Sequence, residues 1–368
     1  MKDSEKRIES QERSGNFANV ANRRTLPSVS IILPSFNEEV VLAENLDRIT
    51  SFMESLSDRY RWEIVVVNDG SRDRTGEIAE QKASQVNELR VVHHRQNRGL
   101  GEAIKTGVAS TSSDYLIVLD VDLSYDVGHI LALLDELDRT GADLVLASPY
   151  MKGGSIGNVP WLRRKLSICA NWFLSLVAHG HLSTLTCMVR GYKGDFARSL
   201  VLRATGMEVM PETVYKSMIL RGQIVQIPAH LDWGAQSTDG RRKSSMQIAR
   251  QIVGTLLSGF LFKPFMFFVL PGLVLLVFSL WVNMWMIIHF IDALGSAPDG
   301  PLLGVFSWAI AQAYDTHPHT FIVGLLSLML SVQLVSLGVL ALQSKSYFEE
   351  IFYLGTKMGS RMNEDKES

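Results

Sequence analysis

Short apolar runs alternate with longer mixed stretches through the first 150 or so residues of the chain. Residues 29–33, 63–67, 89–93, 115–119 and 143–147 have the length and β-branched content of buried strands. Between them, residues 38–56, 73–86, 101–110 and 127–139 read as helices. Repeated strand–helix units with continuous apolar strands predict a parallel sheet covered on both faces. No repeat of fixed period is present. After Pro149 the pattern loosens, and Gly153, Gly154 and Gly157 precede a basic helix expected at 161–178.

Two much longer apolar runs follow. Residues 264–291 contain no Lys, Arg, Asp or Glu, and residues 320–342 are similar, with Gln333 their most polar interior group. Each exceeds the roughly 20 residues a helix needs to cross the hydrocarbon. Pro271 and Gly272 would damage a soluble helix but are tolerated in a membrane one. Arg241, Arg242, Lys243, Arg250 and Lys263 precede the first run, and Lys345, Lys357 and Arg361 follow the second. The connector 292–319 has neither Lys nor Arg, so the positive-inside bias predicts both ends in the cytoplasm. Within the connector, 302–313 is apolar enough for a short helix on the outer surface. Just ahead of the first run, Ile248, Ile252, Leu256 and Phe260 recur every four residues. That spacing predicts an interfacial helix over 244–263, with a helix packed on the domain as the alternative.

The expected organisation is therefore a disordered cytosolic tail (1–26), an α/β domain (27–243) and the amphipathic helix (244–263). Two membrane helices (264–291 and 320–343) and a second cytosolic tail (344–368) complete it. Composition adds limits. At 368 residues and 46% hydrophobic content a sizeable core is assured, and a net charge of −2 gives no bulk attraction to nucleic acid. Cys169 and Cys187 make no disulfide framework and read as buried small hydrophobes.

The chemistry concentrates at Asp120-Val121-Asp122, directly after the apolar run 115–119. Two carboxylates one residue apart at a strand end repel each other unless a cation joins them, and hard oxygen ligands select Mg²⁺ or Mn²⁺. Alone, the pair is equally an N-cap followed by a solvated turn. Three other loops fall on the same predicted edge: Pro34-Ser35-Phe36-Asn37-Glu38-Glu39, Val67-Asn68-Asp69-Gly70-Ser71 and Asn97-Arg98-Gly99-Leu100-Gly101. Each taken singly is ordinary capping or turn chemistry. Their convergence on one edge argues for a ligand site.

In order and spacing these motifs resemble the family 2 glycosyltransferases of GT-A fold, in the branch similar to dolichol-phosphate mannose synthases. The resemblance covers about 29–243 and includes Gly153-Gly154, Arg163-Arg164 and the C-terminal apolar pair. It implies a Rossmann-like, mostly parallel sheet with helices on both faces, followed by a two-helix transmembrane hairpin. It also implies that Pro34, Phe36 and Glu38 line the base and ribose, that Asp69 accepts hydrogen bonds from the base, and that Arg98 lies near the nucleotide. Asp120 and Asp122 would hold the metal on the diphosphate, with Val121 between them at the nucleotide. Arg190 matches a family arginine expected at the reaction centre, Arg163 and Arg164 would hold the acceptor, and Arg242 and Lys243 match a basic loop over the diphosphate. Two positions depart from the family pattern. Pro149 replaces an arginine before the paired glycines, and Thr184 stands where many members carry an acid, which leaves the sugar open.

The activity so implied is inverting transfer of a hexose from a GDP- or UDP-sugar to a polyprenyl or dolichyl phosphate, at the cytoplasmic face of a membrane. Two alternatives stay open at this point. One is the same fold with a hydroxyl acceptor, in glycolipid or polysaccharide synthesis. The other is an inactive, membrane-tethered nucleotide-sugar-binding protein. Gly324 and Gly338 offer close helix contacts that would suit a homo-oligomer.

Overall fold

The computed structural model describes residues 26–157, 182–232 and 264–367. They form two compact units, one α/β and one helical. The α/β unit runs β1 (Ser28–Ser35), α1 (Leu42–Glu54), β2 (Arg61–Asn68), α2 (Thr75–Ala83), β3 (Leu89–His93), α3 (Leu100–Ala109) and β4 (Tyr115–Val118). It continues with α4 (Gly128–Thr140), β5 (Leu144–Ser148), β6 (Ser155–Gly157), β7 (Arg190–Lys193), α5 (Gly194–Ser199), α6 (Val209–Ile219), β8 (Ile224–Pro228) and β9 (His230–Asp232). The strands build a seven-stranded sheet in the order β3-β2-β1-β4-β7-β5-β8, and β6 pairs with β9 beside it.

Burial follows from the sequence pattern. Ile31, Ile32 and Leu33, like Ile64 to Val67 and Leu116 to Val118, are fully buried, so both sheet faces are covered. Fully burying one such side chain contributes roughly 1.5–3 kcal/mol. On one face, α1 presents Leu42, Leu46, Ile49 and Met53, and α4 presents Ile130, Leu133, Leu134 and Leu137. Gly141, at φ +67°, ends α4 and donates its N–H to the Leu137 carbonyl at 2.9 Å. On the other face, Gly107 lets α3 lie close, since a Cβ there would fall 2.4 Å from Ile32 Cγ2.

One expectation is revised. The helix expected from residue 38 starts at Leu42, because Asn37 sits in the left-handed region at φ 57° and the chain turns before it coils. The sheet is mostly parallel, as the resemblance implies, and β7 is its antiparallel strand, between β4 and β5. The physical reason is the return path. The chain leaves β5 at the carboxyl edge and re-enters the sheet from that same edge, so no crossover turns it round. Gly191 lets α4 lie close over β7, where a Cβ would meet Ile117 and Leu137 at 3.0 Å.

The helical unit contains α7 (Pro264–Gly295), α8 (Leu302–Thr316) and most of α9 (Pro318–Glu367). Within it, Phe267–Gly295 and Pro318–Thr356 are long and apolar enough to cross a membrane by length and composition. They expose Leu270, Val277, Trp281, Leu325 and Leu337 outward. Where they meet, glycines allow close approach: a Cβ at Gly338 would lie 2.4 Å from Val269, and one at Gly324 3.1 Å from Asn283. Ser279 Oγ and Asn283 Nδ2 donate to the Gly324 carbonyl at 3.2 and 3.1 Å. Both glycines considered for an oligomer thus serve packing inside the chain. The short connector helix is present, with Ala309 and Ala313 packed on Ala293. The tail 1–25, the helix at 161–178 and the interfacial helix at 244–263 lie outside the described residues.

Candidate functional site

The carboxyl edge of β1, β2, β3 and β4 is stitched together by its own loops. Asn37 donates its backbone N–H to Ser71 Oγ at 3.0 Å, and its side-chain Oδ1 accepts from the Arg72 N–H at 2.9 Å. Glu38 N–H reaches Thr75 Oγ1 at 2.8 Å. Gly70, at φ +66°, rests against the next loop, where a Cβ would lie 2.3 Å from the Gln96 carbonyl carbon. Only glycine meets both the conformation and that contact. Phe36 projects from this assembly with 41% of its surface exposed, while Pro34 and Glu38 are half-buried.

Asp69 is turned into the loops rather than outward. It is 3% exposed, and its Oδ1 accepts from His94 Nδ1 at 2.6 Å and from the Arg98 N–H at 2.9 Å. Its Oδ2 accepts from the Gly99 N–H at 2.8 Å. The carboxylate that the resemblance assigns to a base is thus engaged in holding the Arg98–Gly99 backbone. Gly99 itself has φ +94°, and a Cβ there would stand 2.4 Å from the Thr205 carbonyl oxygen. The Arg98 side chain is exposed and pairs with Glu102 at 3.2 Å.

The Asp120–Asp122 turn is braced from two sides. Asn45, buried on α1, donates Nδ2–H to the Val121 carbonyl at 2.8 Å. Leu123 takes the left-handed φ of 48° and donates its N–H to the Asp120 carbonyl at 3.2 Å. Asp122 Oδ1 accepts from the Ser124 N–H at 2.9 Å, which aims the carboxylate. Val121 is buried beneath. Asp120 retains some surface, yet protein crowds its carboxyl. That desolvation, with the like charges of Asp122 and Glu38, pushes its pKa up to about 8.

These residues fit a divalent cation. The carboxyl groups of Asp122 and Glu38 lie within electrostatic reach of Asp120, which resists ionisation beside them. Among the described residues no group of three or more His, Cys, Asp or Glu forms a complete cage. A Mg²⁺ or Mn²⁺ site of one or two carboxylates, completed by phosphate oxygens, matches that donor set.

Arg190 is placed differently from expectation. It lies opposite Val118 in β4 and Leu146 in β5, at the same edge, but is fully buried. Nε donates to the Cys187 carbonyl at 3.1 Å and Nη1 to the Met210 carbonyl at 3.1 Å, and Nη2 also reaches the Cys187 carbonyl. Its fork ties β7 to α6 and to the segment behind the Asp120 turn. Cys187 is buried and free, and burial pushes its thiol pKa up, as expected of a packing residue. Arg163, Arg164, Arg242 and Lys243 lie outside the described residues. Thr184 is buried, and its carbonyl accepts from Gln226 Nε2 at 3.4 Å.

Sequence reasoning passed over Asn45, His93 and His94. The available signal was position: His93 is the register partner of Asn68, and His94 is one step beyond it.

Residues 30–198 match the sequence family described as glycosyl transferase family 2. The chain is 29% identical over 203 residues to dolichol-phosphate mannosyltransferase of Pyrococcus furiosus, covering 54% of this chain and 55% of that protein. It is 32% identical over 180 residues to undecaprenyl-phosphate 4-deoxy-4-formamido-L-arabinose transferase of Edwardsiella ictaluri, covering 48% and 53%. The chain therefore spans about half the length of these curated relatives. Glucosyl-3-phosphoglycerate synthase from Mycobacterium tuberculosis, in complex with Mn²⁺, uridine diphosphate and glucosyl-3-phosphoglycerate, aligns with a TM-score of 0.48 at 21% identity. That alignment covers 65% of this chain and 81% of that one.

Proposed function

Because the chain belongs to glycosyl transferase family 2, we propose that it transfers a hexose from a nucleotide sugar to a polyprenyl or dolichyl phosphate, inverting the anomeric carbon. One observation carries the reading: loops from four parallel strands meet at one edge and bring Asp120 and Asp122 together there. The names of the two relatives support the acceptor class, since one cites dolichol phosphate and the other undecaprenyl phosphate. They cite different sugars, so the sugar is left unspecified.

Asp120 and Asp122 would hold Mg²⁺ or Mn²⁺, which when bound takes up negative charge on the departing nucleoside diphosphate. Phe36 offers an exposed ring to the base, with Pro34 and Glu38 beside it. The Arg98–Gly99 loop, held by Asp69, receives the nucleotide from the other side. A phosphate acceptor is already largely ionised near neutrality, its second pKa being about 6. The reaction then needs no strong general base, only cations that hold the incoming phosphate in line. Arg163 and Arg164 take that part, and Arg242 and Lys243 close over the diphosphate. Arg190 acts from beneath as a positioning residue. The two apolar helices serve as membrane spans that keep the enzyme beside its lipid acceptor, with the α/β unit and both termini cytoplasmic.

Nucleoside diphosphate binding to the full chain in detergent tests the site. UDP and GDP are titrated with Mn²⁺ into wild type and Asp122→Asn. The variant is expected to lose Mn²⁺-dependent binding by about 100-fold or more. Unchanged binding and turnover in that variant would remove the carboxylate pair from the reaction.

A further inference from the structure

We propose that His94 is a positioning residue for the nucleotide, holding Asp69 and through it the Arg98–Gly99 backbone; this rests on the nucleotide site proposed above. β3 ends on His93 and His94 follows it directly, its N–H donating to the Asn68 carbonyl at 2.9 Å. The two rings diverge to separate partners. His93, exposed, meets Asn68 Nδ2 at 3.0 Å and Glu80 at 2.8 Å. His94, buried, meets Asp69 Oδ1 at 2.6 Å through Nδ1 and Thr106 Oγ1 at 2.9 Å through Nε2.

The chemistry of these partners fixes the roles. An ionised carboxylate only accepts, so His94 Nδ1 carries the hydrogen that Asp69 receives, and in the neutral ring the Thr106 hydroxyl donates to Nε2. Thr106 stands on α3, the helix that begins directly after Gly99. The line Thr106–His94–Asp69 therefore braces the loop at the start of α3 against the body of the same helix. Without the Nδ1–H, Asp69 is held only by the Arg98 and Gly99 N–H groups of the loop it is to position, and its carboxylate loses its tie to the helix. On its far side the same loop is fixed by the Gly101 N–H, which donates to the Thr205 carbonyl at 2.7 Å. His94 thus holds the one side of the loop that the Thr205 contact does not.

The test compares His94→Phe, which keeps ring bulk without a hydrogen to donate, with His94→Asn, whose amide N–H can replace Nδ1–H. Both are made in the full chain and titrated with UDP and GDP plus Mn²⁺. His94→Phe is expected to raise the Kd of whichever nucleotide the wild type binds by about 10- to 100-fold. The KM for the nucleotide sugar should rise in parallel, with kcat within about threefold of wild type, and His94→Asn should recover most of the loss. Hydrogen–deuterium exchange gives a second reading: the Arg98 and Gly99 amides should exchange faster in His94→Phe, and not in His94→Asn. Wild-type Kd or wild-type exchange in folded His94→Phe overturns the proposal. If that variant does not fold, Thr106→Val takes its place, with faster exchange at the same two amides expected and unchanged exchange overturning the proposal. A wild-type chain that binds neither nucleotide defeats the reading of the site, while the exchange measurement still decides what His94 holds.

Discussion

The Asp120 carboxyl meets resistance to ionisation from three sources: displaced water, the charge of Asp122 and the charge of Glu38. Its pKa rises from 3.8 to about 8, so folding favours the protonated form. For a raised acid, the stabilising contribution is complete below the unfolded value and is lost as pH climbs through the folded one. With divalent cations removed, the thermal midpoint of the full chain should therefore fall between about pH 4 and about pH 8, and Asp120→Asn should flatten that fall. Mn²⁺ should restore the midpoint most at the high end, by taking the place of the proton. An equal slope in the variant would place the pH dependence elsewhere. Arg190 gives a contrasting prediction. Arg190→Lys cannot reach both the Cys187 and Met210 carbonyls, and should cost about 2–3 kcal/mol of stability by thermal unfolding. Lost transfer with unchanged unfolding would instead make Arg190 a group that touches substrate. At this scale the two aspartates were legible because acids at the end of an apolar strand are conspicuous. Asn45 and His94 were not, because a polar residue in an amphipathic helix or at a strand end looks the same whether it faces water or a buried carbonyl.

Among the elements, the loop between β3 and α3 is the most constrained. Gly99→Ala forces a Cβ against the Thr205 carbonyl in a backbone region that L-residues avoid. A loss of about 1–3 kcal/mol is expected by thermal unfolding, with weaker nucleotide binding beside it. Wild-type stability would mean that the loop relaxes freely and does not hold its shape for a ligand. The strands β1 to β5 were readable to within about two residues because they are continuous apolar runs, which few other structures explain. β7 was not. Its four residues, Arg-Gly-Tyr-Lys, show no apolar run, and its strand character comes from two neighbours that pair with it. β6 and β9 are three residues each and pair with each other, and Leu231 of β9 also bridges to Tyr125. Helix starts shifted for a local reason, the left-handed turn at Asn37, which asparagine permits without announcing.

For the whole molecule, the description that joins these parts is a sheet edge proposed to bind a nucleotide, in a chain that also carries two long apolar helices. If those helices span the bilayer, the protein should stay with membranes through alkaline carbonate extraction, and release into the supernatant would refute the anchor. The most direct test of the central claim is transfer of label from radiolabelled UDP- and GDP-sugars, in Mg²⁺ or Mn²⁺, by the full chain and its Asp122→Asn variant. Polyprenyl phosphate is added or omitted. Labelled lipid should form only with the wild-type chain and only when polyprenyl phosphate is present. Hydrolysis of the nucleotide sugar with no labelled lipid, or equal transfer by the variant, would contradict it.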